Sequence, residues 1–283
     1  MDHAVTIRNA HKIVENFQLE SIHLEIEKGT ITALIGKNGA GKSTILNLMM
    51  NLMKADSGDI KVLGQSVFGA DESWKTNVAY LPQTPPMVAP FTGQEMRNLI
   101  SQWYPTWDDT YFQKIVSLFS INLAVKFNKL SPGAQQQLNL ALAIARNTEV
   151  LILDEPTAHL DIPSKKILND LLIEWMDNGE RTIILATHQI EDIQKLADYL
   201  VILKDGWIFG QFEKETLSDM YKRYWISQPL GCETVPGEIE RKGNSFITNQ
   251  PFEAEAFLQQ ENIAWTTVQT VALDEIITIL LMR

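Results

Sequence analysis

The sequence predicts an α/β fold: a mostly parallel core sheet, an antiparallel β subdomain ahead of it, a helical insert and a small C-terminal α+β tail. Two observations carry this prediction. Strand-like and helix-like segments alternate from the N-terminus to about residue 225, the pattern of strands joined by crossover helices. Three strand-like runs, Ile31-Thr-Ala-Leu-Ile35, Val150-Leu-Ile-Leu153 and Thr182-Ile-Ile-Leu-Ala186, are apolar almost throughout, as strands covered on both faces must be.

The elements follow in order. Ala4 to Ile26 alternates more loosely, as in Val5/Ile7 and Leu24/Ile26, which fits antiparallel β structure with one solvated face. From about 92 to 147 the pattern is helical. It starts at Thr92 with Glu95 three residues on, a capping-box spacing, and Thr106 with Asp109 repeats the device. Between them Pro105 biases Tyr104 away from helical dihedrals, so Tyr104-Pro-Thr-Trp107 separates two helices. Leu217 to Ile226 is helix-like, and this completes a first domain over 1–226. The run Ser227 to Gly237 is rich in turn formers and predicts a linker. A helix (Glu253 to Gln260), a strand (Trp265 to Val271) and an apolar helix (Leu273 to Met282) complete the region 227–283. That tail of about 45 residues is small for an independent domain, so it is expected to pack on its own main domain or on a twin subunit. No internal repeat or low-complexity tract is evident.

The chain has 283 residues, 45% of them apolar, enough for a sizeable core. Its 24 Lys plus Arg against 35 Asp plus Glu give a net charge of −11, which argues against a general nucleic-acid binder, although a local basic groove stays open. Cys232 is the single cysteine, which excludes an intrachain disulfide, a cysteine zinc site and a CxxC redox pair, and makes the cytoplasm the natural compartment. A membrane span needs about 18 consecutive apolar residues, far more than Ile183 to Ala186 or Ile276 to Met282 supply. The first residues contain no basic start followed by an apolar run, so no secretory leader is expected.

Gly36-Lys-Asn-Gly-Ala-Gly-Lys-Ser43 matches G-x-x-x-x-G-K-[ST] between a predicted strand and a predicted helix, the context that a phosphate-binding loop requires. Gly36, Asn38, Gly39, Ala40, Gly41 and Thr44 belong to this candidate ATP-binding segment. Its glycines let N–H groups point at phosphate oxygens, and Lys42 reaches the β/γ-phosphates. Ser43 supplies a hydroxyl to Mg²⁺. Leu151-Ile-Leu-Asp-Glu155 ends in two carboxylates at the edge where open α/β sheets place ligands. Asp154 is suited to hold Mg²⁺ and Glu155 to act as general base toward an attacking water.

With these two segments the chain resembles the nucleotide-binding subunits of ATP-binding cassette (ABC) transporters, over about residues 4 to 225. Four further segments match in order: Leu81-Pro-Gln83 resembles the Q-loop, Leu130-Ser-Pro-Gly133 the signature motif, Ala158-His-Leu-Asp161 the D-loop and Ala186-Thr-His188 the switch-histidine loop. The resemblance implies that Gln83 contacts Mg²⁺ and the attacking water, and that His188 stabilises charge on the γ-phosphate. Ser131 is suited to cap a helix with Pro132 at its first position. The Gly133 and Ala134 N–H groups then join the Ser131 hydroxyl in a second anion-binding surface. In the family that surface closes on ATP held by the opposite subunit. Pro132 and Ala134 depart from the usual Leu-Ser-Gly-Gly-Gln, and His159 replaces a small D-loop residue. Counting back from Leu19 places Ile13 where the family stacks adenine on an aromatic side chain, with Phe17 as a neighbouring alternative; weaker base selectivity is the expectation.

The resemblance therefore implies an ATPase with ATP and Mg²⁺ as ligands, acting as a homodimer or with a paralogue. It drives transmembrane permease subunits from the cytoplasmic face. Tyr104-Pro-Thr-Trp-Asp108, the altered signature and the tail around Leu273-Asp-Glu-Ile276 resemble the ABC-2-type export branch, which moves drugs, peptides and other compounds. Trp107 reads equally as a packing anchor within the insert. Met87, Val88 and Phe91 read evenly as permease contacts or as part of the insert's own core. The competing reading is a soluble ABC ATPase that acts as an assembly factor or regulator, with the same nucleotide chemistry.

Overall fold

The structure is a computed structural model, and it describes the chain apart from Met1, Asn16, residues 85–89, 228–229 and 231–233, and Arg283. The chain divides into two compact units, Met1–Gln211 and Phe212–Arg283. The first runs β1 (His3–Val14), β2 (Phe17–Glu27), β3 (Ile31–Ile35), α1 (Lys42–Met49), β4 (Ser57–Val62), β5 (Gln65–Ser66), β6 (Val78–Leu81), α2 (Gly93–Ser101), α3 (Asp109–Leu118), α4 (Pro132–Ile144), β7 (Val150–Asp154), α5 (Ile162–Met176), β8 (Thr182–Ala186), α6 (Ile190–Leu196), β9 (Tyr199–Lys204) and β10 (Trp207–Glu213), the last strand crossing into the second unit.

Among the described residues this unit holds two sheets. One, in the order β2-β1-β4-β5, is antiparallel. The other has the order β10-β9-β3-β8-β7-β6 and is parallel from β9 to β6. Every residue of β3, β7 and β8 is buried, and alternate side chains serve different cores. Leu34, Val150, Ile152 and Ile184 pack with the antiparallel sheet and α1. Ile31, Leu151, Leu153, Ile183 and Leu185 pack with Met96, Phe112, Leu138, Leu168 and Leu196 of the helices. The unbroken apolar runs are thus the middle layer between an antiparallel sheet and a helical layer.

In the insert, Thr92 caps α2 with the expected reciprocal bonds: its hydroxyl accepts from Glu95 N at 3.2 Å, and Glu95 Oε2 accepts from Thr92 N at 2.8 Å. At α3 the cap is Asp108, which accepts from Tyr111 N at 2.8 Å, and not Thr106. Thr106 donates its hydroxyl to Arg146 O at 2.7 Å instead, and Asp108 N bonds Ala145 O, so this segment is docked on the end of α4 before the helix begins. Arg146 lies over the Tyr104 ring at 4.7 Å, and Trp107 packs 5.4 Å from Phe112. Tyr104 to Asp108 is therefore an internal anchor of the insert. Phe91 is 40% exposed; Met87 and Val88 fall outside the described residues.

The second unit continues through α7 (Lys214–Met220), β11 (Lys222–Ile226), β12 (Glu238–Lys242), β13 (Ser245–Thr248), α8 (Pro251–Gln260), β14 (Trp265–Thr270) and α9 (Leu273–Met282). Its strands form an antiparallel sheet in the order β12-β13-β11-β14. Here the structure corrects the sequence analysis. Helix α7 ends at Met220, and Lys222–Ile226 is a strand, because pairing on both sides with β13 and β14 alternately buries Tyr224 and Ile226. The second compact unit begins at Phe212. Leu230 and Val235 of the expected linker pack into a core of Tyr224, Ile226, Phe246, Ala254 and Leu258. Among the described residues no helix is long and apolar enough to cross a membrane.

Candidate active site

Strand β3 delivers the chain into the loop Gly36–Gly41, where Gly39 (φ 84°) and Gly41 (φ 107°) take the left-handed backbone that side chains disfavour. At Gly36 a Cβ would lie 2.7 Å from Leu203 O, so only glycine fits beside β9. Helix α1 starts directly after Gly41. Lys42 folds back over the loop: its Nζ donates to Gly36 O at 2.9 Å and Lys37 O at 3.4 Å, and lies 3.9 Å from Glu155 Oε1. Burial pulls the Lys42 pKa down, against the opposing pull of Glu155 and Asp154. A cleft of about 500 Å³ opens here, lined by Asn38, Gly39, Gly41, Lys42, Ser43, Thr44, Gln83, Asp154 and Glu155. Ala40 lies behind it, buried against Gly36.

Strand β7 places Asp154 at the cleft floor, 2% exposed. Burial raises its pKa, while the Ser43 hydroxyl, Lys42 and the Gln83 backbone N–H pull the other way. These contacts bring Ser43, Gln83 and Asp154 together. Asp154 Oδ1 is buried without a hydrogen-bond partner. An orphaned carboxylate oxygen beside a serine hydroxyl and an anion-binding loop is a fitting donor set for Mg²⁺, which binds through one or two protein oxygens together with substrate phosphates and water. The described residues contain no cluster of three His, Cys, Asp or Glu, and such an ion does not need one.

Glu155 N still bonds Ala186 O at 2.8 Å, but its φ of 49° turns the chain sharply. Its carboxylate meets His188 Nδ1 at 2.8 Å. Gln189 Nε2 lies 3.2 Å from His188 Nε2. The Glu155 carboxylate is acceptor only, so the Nδ1 that meets it carries the N–H, and the Gln189 amide lies beside Nε2. Two neighbours were not legible in the sequence: Thr157, 3% exposed, donates its hydroxyl to Asp192 Oδ2 at 2.7 Å, and Asp192 is 2% exposed. Neither carries a motif; Asp192 reads in sequence as an ordinary acidic residue in a first helical turn.

Ser131, Gly133 and Ala134 do not line the cleft. Ser131 caps α4 by accepting from Ala134 N at 3.3 Å, so that N–H is already engaged and the Ser131 O–H and Gly133 N–H are the donors left to the anion surface. A Cβ on Gly133 would lie 2.9 Å from His159 O, which joins the signature segment to the Glu155–Asp161 turn of the same chain. His159 holds a left-handed φ of 63° there. Gln136 Nε2 donates to Pro156 O at 2.9 Å, and Asp161 caps α5 by accepting from Ser164 N at 2.9 Å. At the other end Ile13 is 55% exposed and lies outside the cleft, while Val14, Glu15 and Phe17 line it. Alternation along β1 turns Ile13 away when Val14 faces in.

The family described as ABC transporter matches residues 19–158. The SkfA peptide export ATP-binding protein SkfE of Bacillus subtilis (strain 168) is 33% identical over 74% of this chain and 91% of its own length. The petrobactin import ATP-binding protein FpuD of Bacillus anthracis is 31% identical over 72% of this chain and 79% of its own. The fold is similar to the dimeric post-hydrolysis structure of the ATP-binding cassette MJ0796 bound to ADP and Pi, with a TM-score of 0.65 at 22% identity over 74% of this chain and 98% of that one.

Proposed function

Because the chain belongs to the family of ABC transporter ATP-binding proteins, which are ATPases, we propose that two such subunits close around ATP to drive a membrane permease that exports a drug, peptide or other small compound. The observation that carries the dimer is the incomplete cleft: one chain supplies Lys42, Ser43, Gln83, Asp154 and Glu155, while Ser131 and Gly133 lie outside it. A second subunit, identical or paralogous, offers those groups to the γ-phosphate from its own α4 terminus. ATP then bridges the two subunits, and its hydrolysis releases them.

Within one site the phosphate loop N–H groups and Lys42 hold the triphosphate. Glu155 accepts the proton of the attacking water, and His188 orients that carboxylate through Nδ1. Ser43, Asp154 and Gln83 would hold Mg²⁺, which would supply charge to neutralise the phosphates. Gln83 precedes the insert in the chain, and through it the site is coupled to the permease. Export is supported by SkfE, a peptide export protein at 33% identity over 91% of its length, against 31% over 79% for the import protein FpuD. The subunit is peripheral on the cytoplasmic face, held there by the permease.

Affinity purification of the tagged chain from detergent-solubilised membranes, with mass spectrometry of its stoichiometric partners, tests this reading. A polytopic membrane protein at about one per ATPase is the expected result. Recovery of soluble partners alone would move the function to an assembly or regulatory ATPase and leave the nucleotide chemistry standing.

A further inference from the structure

Two segments meet at the hydrolytic pair, Glu155 to Thr157 after β7 and His188 to Asp192 at the start of α6, and they are joined twice. The first joint is Glu155 to His188 Nδ1 at 2.8 Å. The second is the Thr157 hydroxyl donating to Asp192 Oδ2 at 2.7 Å. We propose that Thr157 and Asp192 are positioning residues, a buried rung that holds the base Glu155 and the histidine His188 in register. This inference rests on the hydrolytic reading given above.

The two rungs differ in how firmly their surroundings hold them. The His188 side chain is 55% exposed, so packing does not fix its ring. Thr157 and Asp192 are 3% and 2% exposed, and their bond is closed off from water. Glu155 holds a left-handed φ of 49°, a strained conformation that persists only where its surroundings over-determine it. Ala158 N bonds Glu155 O at 3.1 Å, Gln189 N bonds Thr187 Oγ1 at 3.0 Å, and the Thr157–Asp192 bond locks these two turns to each other. Burial raises the Asp192 pKa; the Thr157 hydroxyl, Lys165 of α5 and Lys195 of α6 oppose that rise, while Glu191 adds to it. Burying a carboxylate where an apolar side chain would pack is costly, and the bond to Thr157 is what it secures.

Thr157→Val removes the hydroxyl, and Thr157→Ser and Asp192→Asn retain a donor and an acceptor. Thr248→Val removes another buried hydroxyl bond, to Pro236 O at 2.8 Å in the second unit, and serves as the control for lost stability. We expect Thr157→Val to lower kcat about tenfold with ATP affinity within about twofold, as misplacement of a reacting group does. Thr157→Ser and Asp192→Asn keep at least about half of the parent rate, since each preserves the rung. In a His188→Ala background, Thr157→Val has no further effect, because both act through one pair. Parent-like kcat in Thr157→Val, an equal loss in Thr248→Val, or losses that multiply with His188→Ala would overturn the rung. If Thr157→Val does not fold, Asp192→Ala carries the same comparison. The His188 Nδ1–H resonance, read by ¹⁵N NMR, decides the rung in any case: it is expected in the parent and in Thr157→Ser and lost to exchange in Thr157→Val, and its persistence there would overturn the proposal. A parent that shows the resonance and hydrolyses no ATP would sink the hydrolytic reading alone.

Discussion

The cleft in the first unit and the core of the second are both well buried, but they bury opposite kinds of group. At the cleft Lys42, Asp154 and Glu155 are 6% exposed or less, and Glu155 sits in left-handed backbone. In the second unit Tyr224 stacks on Phe246 at 5.3 Å, meets Trp265 edge-on at 6.3 Å and donates its hydroxyl to Glu255 at 2.7 Å. Among the described residues, every buried side-chain polar atom without a hydrogen-bond partner lies in the first unit, Asp154 Oδ1 among them. One region holds unfavourable burial in readiness for a ligand; the other has satisfied its polar groups. Substitutions in the first should move rates more than stability, and substitutions in the second the reverse.

The sharpest test of that division is Glu155→Gln, which keeps the shape of the side chain and removes the proposed base. Hydrolysis should fall by about 10²–10⁴, as loss of a general base does, while the melting temperature stays close to that of the parent. Size-exclusion chromatography with ATP should show a trapped dimer. A variant that hydrolysed at the parent rate or stayed monomeric with ATP would refute the assignment of Glu155.

The same contrast explains what was legible in the sequence. Gly39 and Gly41 stand where positive φ admits little else, and Asp154 and Glu155 stand at the end of a run that only a two-sided strand uses. Such positions are constrained one by one, so residue identity alone reveals them. Lys222–Ile226 is constrained by partners about 20 and 40 residues further on, and its aromatic, half-charged run fits either helix or strand until those partners are placed. The Thr157–Asp192 bond escaped for the same reason, since it spans 35 residues. At Ile13 a single position matters: one residue along β1 exchanges the cleft face for solvent, and Val14 lines the cleft while Ile13 is 55% exposed.

Tyr224→Ala breaks the comparison from the other side. Removing a fully buried aromatic costs about 3–5 kcal/mol, enough to abolish a separate unfolding transition of the second unit in calorimetry. ATP affinity, read by titration of a fluorescent analogue, should stay within about twofold; loss of nucleotide binding in step with the transition would show that the cleft depends on this core. A smaller effect is expected at the mouth of the cleft. Phe17 packs where a Cβ on Gly41 would come within 2.8 Å, so Phe17→Ala should weaken ATP about tenfold through lost aromatic contact. Ile13→Ala, outside the cleft, should leave it unchanged, and a reversed order would return the base to Ile13.

The smallest expected effect is Glu238→Gln, at the start of β12. Arg241 grips this carboxylate, Nε to Oε1 at 2.6 Å, and the Val235 N–H donates to it at 2.9 Å. The Arg241 hydrogen bond, with the Val235 N–H assisting, holds the Glu238 pKa below its ordinary value of 4.5. The folded state therefore binds its proton less readily than the unfolded chain. The resulting stability is fully present above the ordinary glutamate range and is lost as pH falls through that value and then through the folded one. At pH 7 Glu238→Gln should cost about 1 kcal/mol, a partly solvated charge-assisted pair. Denaturant melts of the second unit's transition should show parent and variant converging as pH falls below 4.5 and on through the depressed folded value, where the parent carboxylate takes up its proton. A gap that stayed constant across that range would mean that Glu238 contributes by packing rather than by charge.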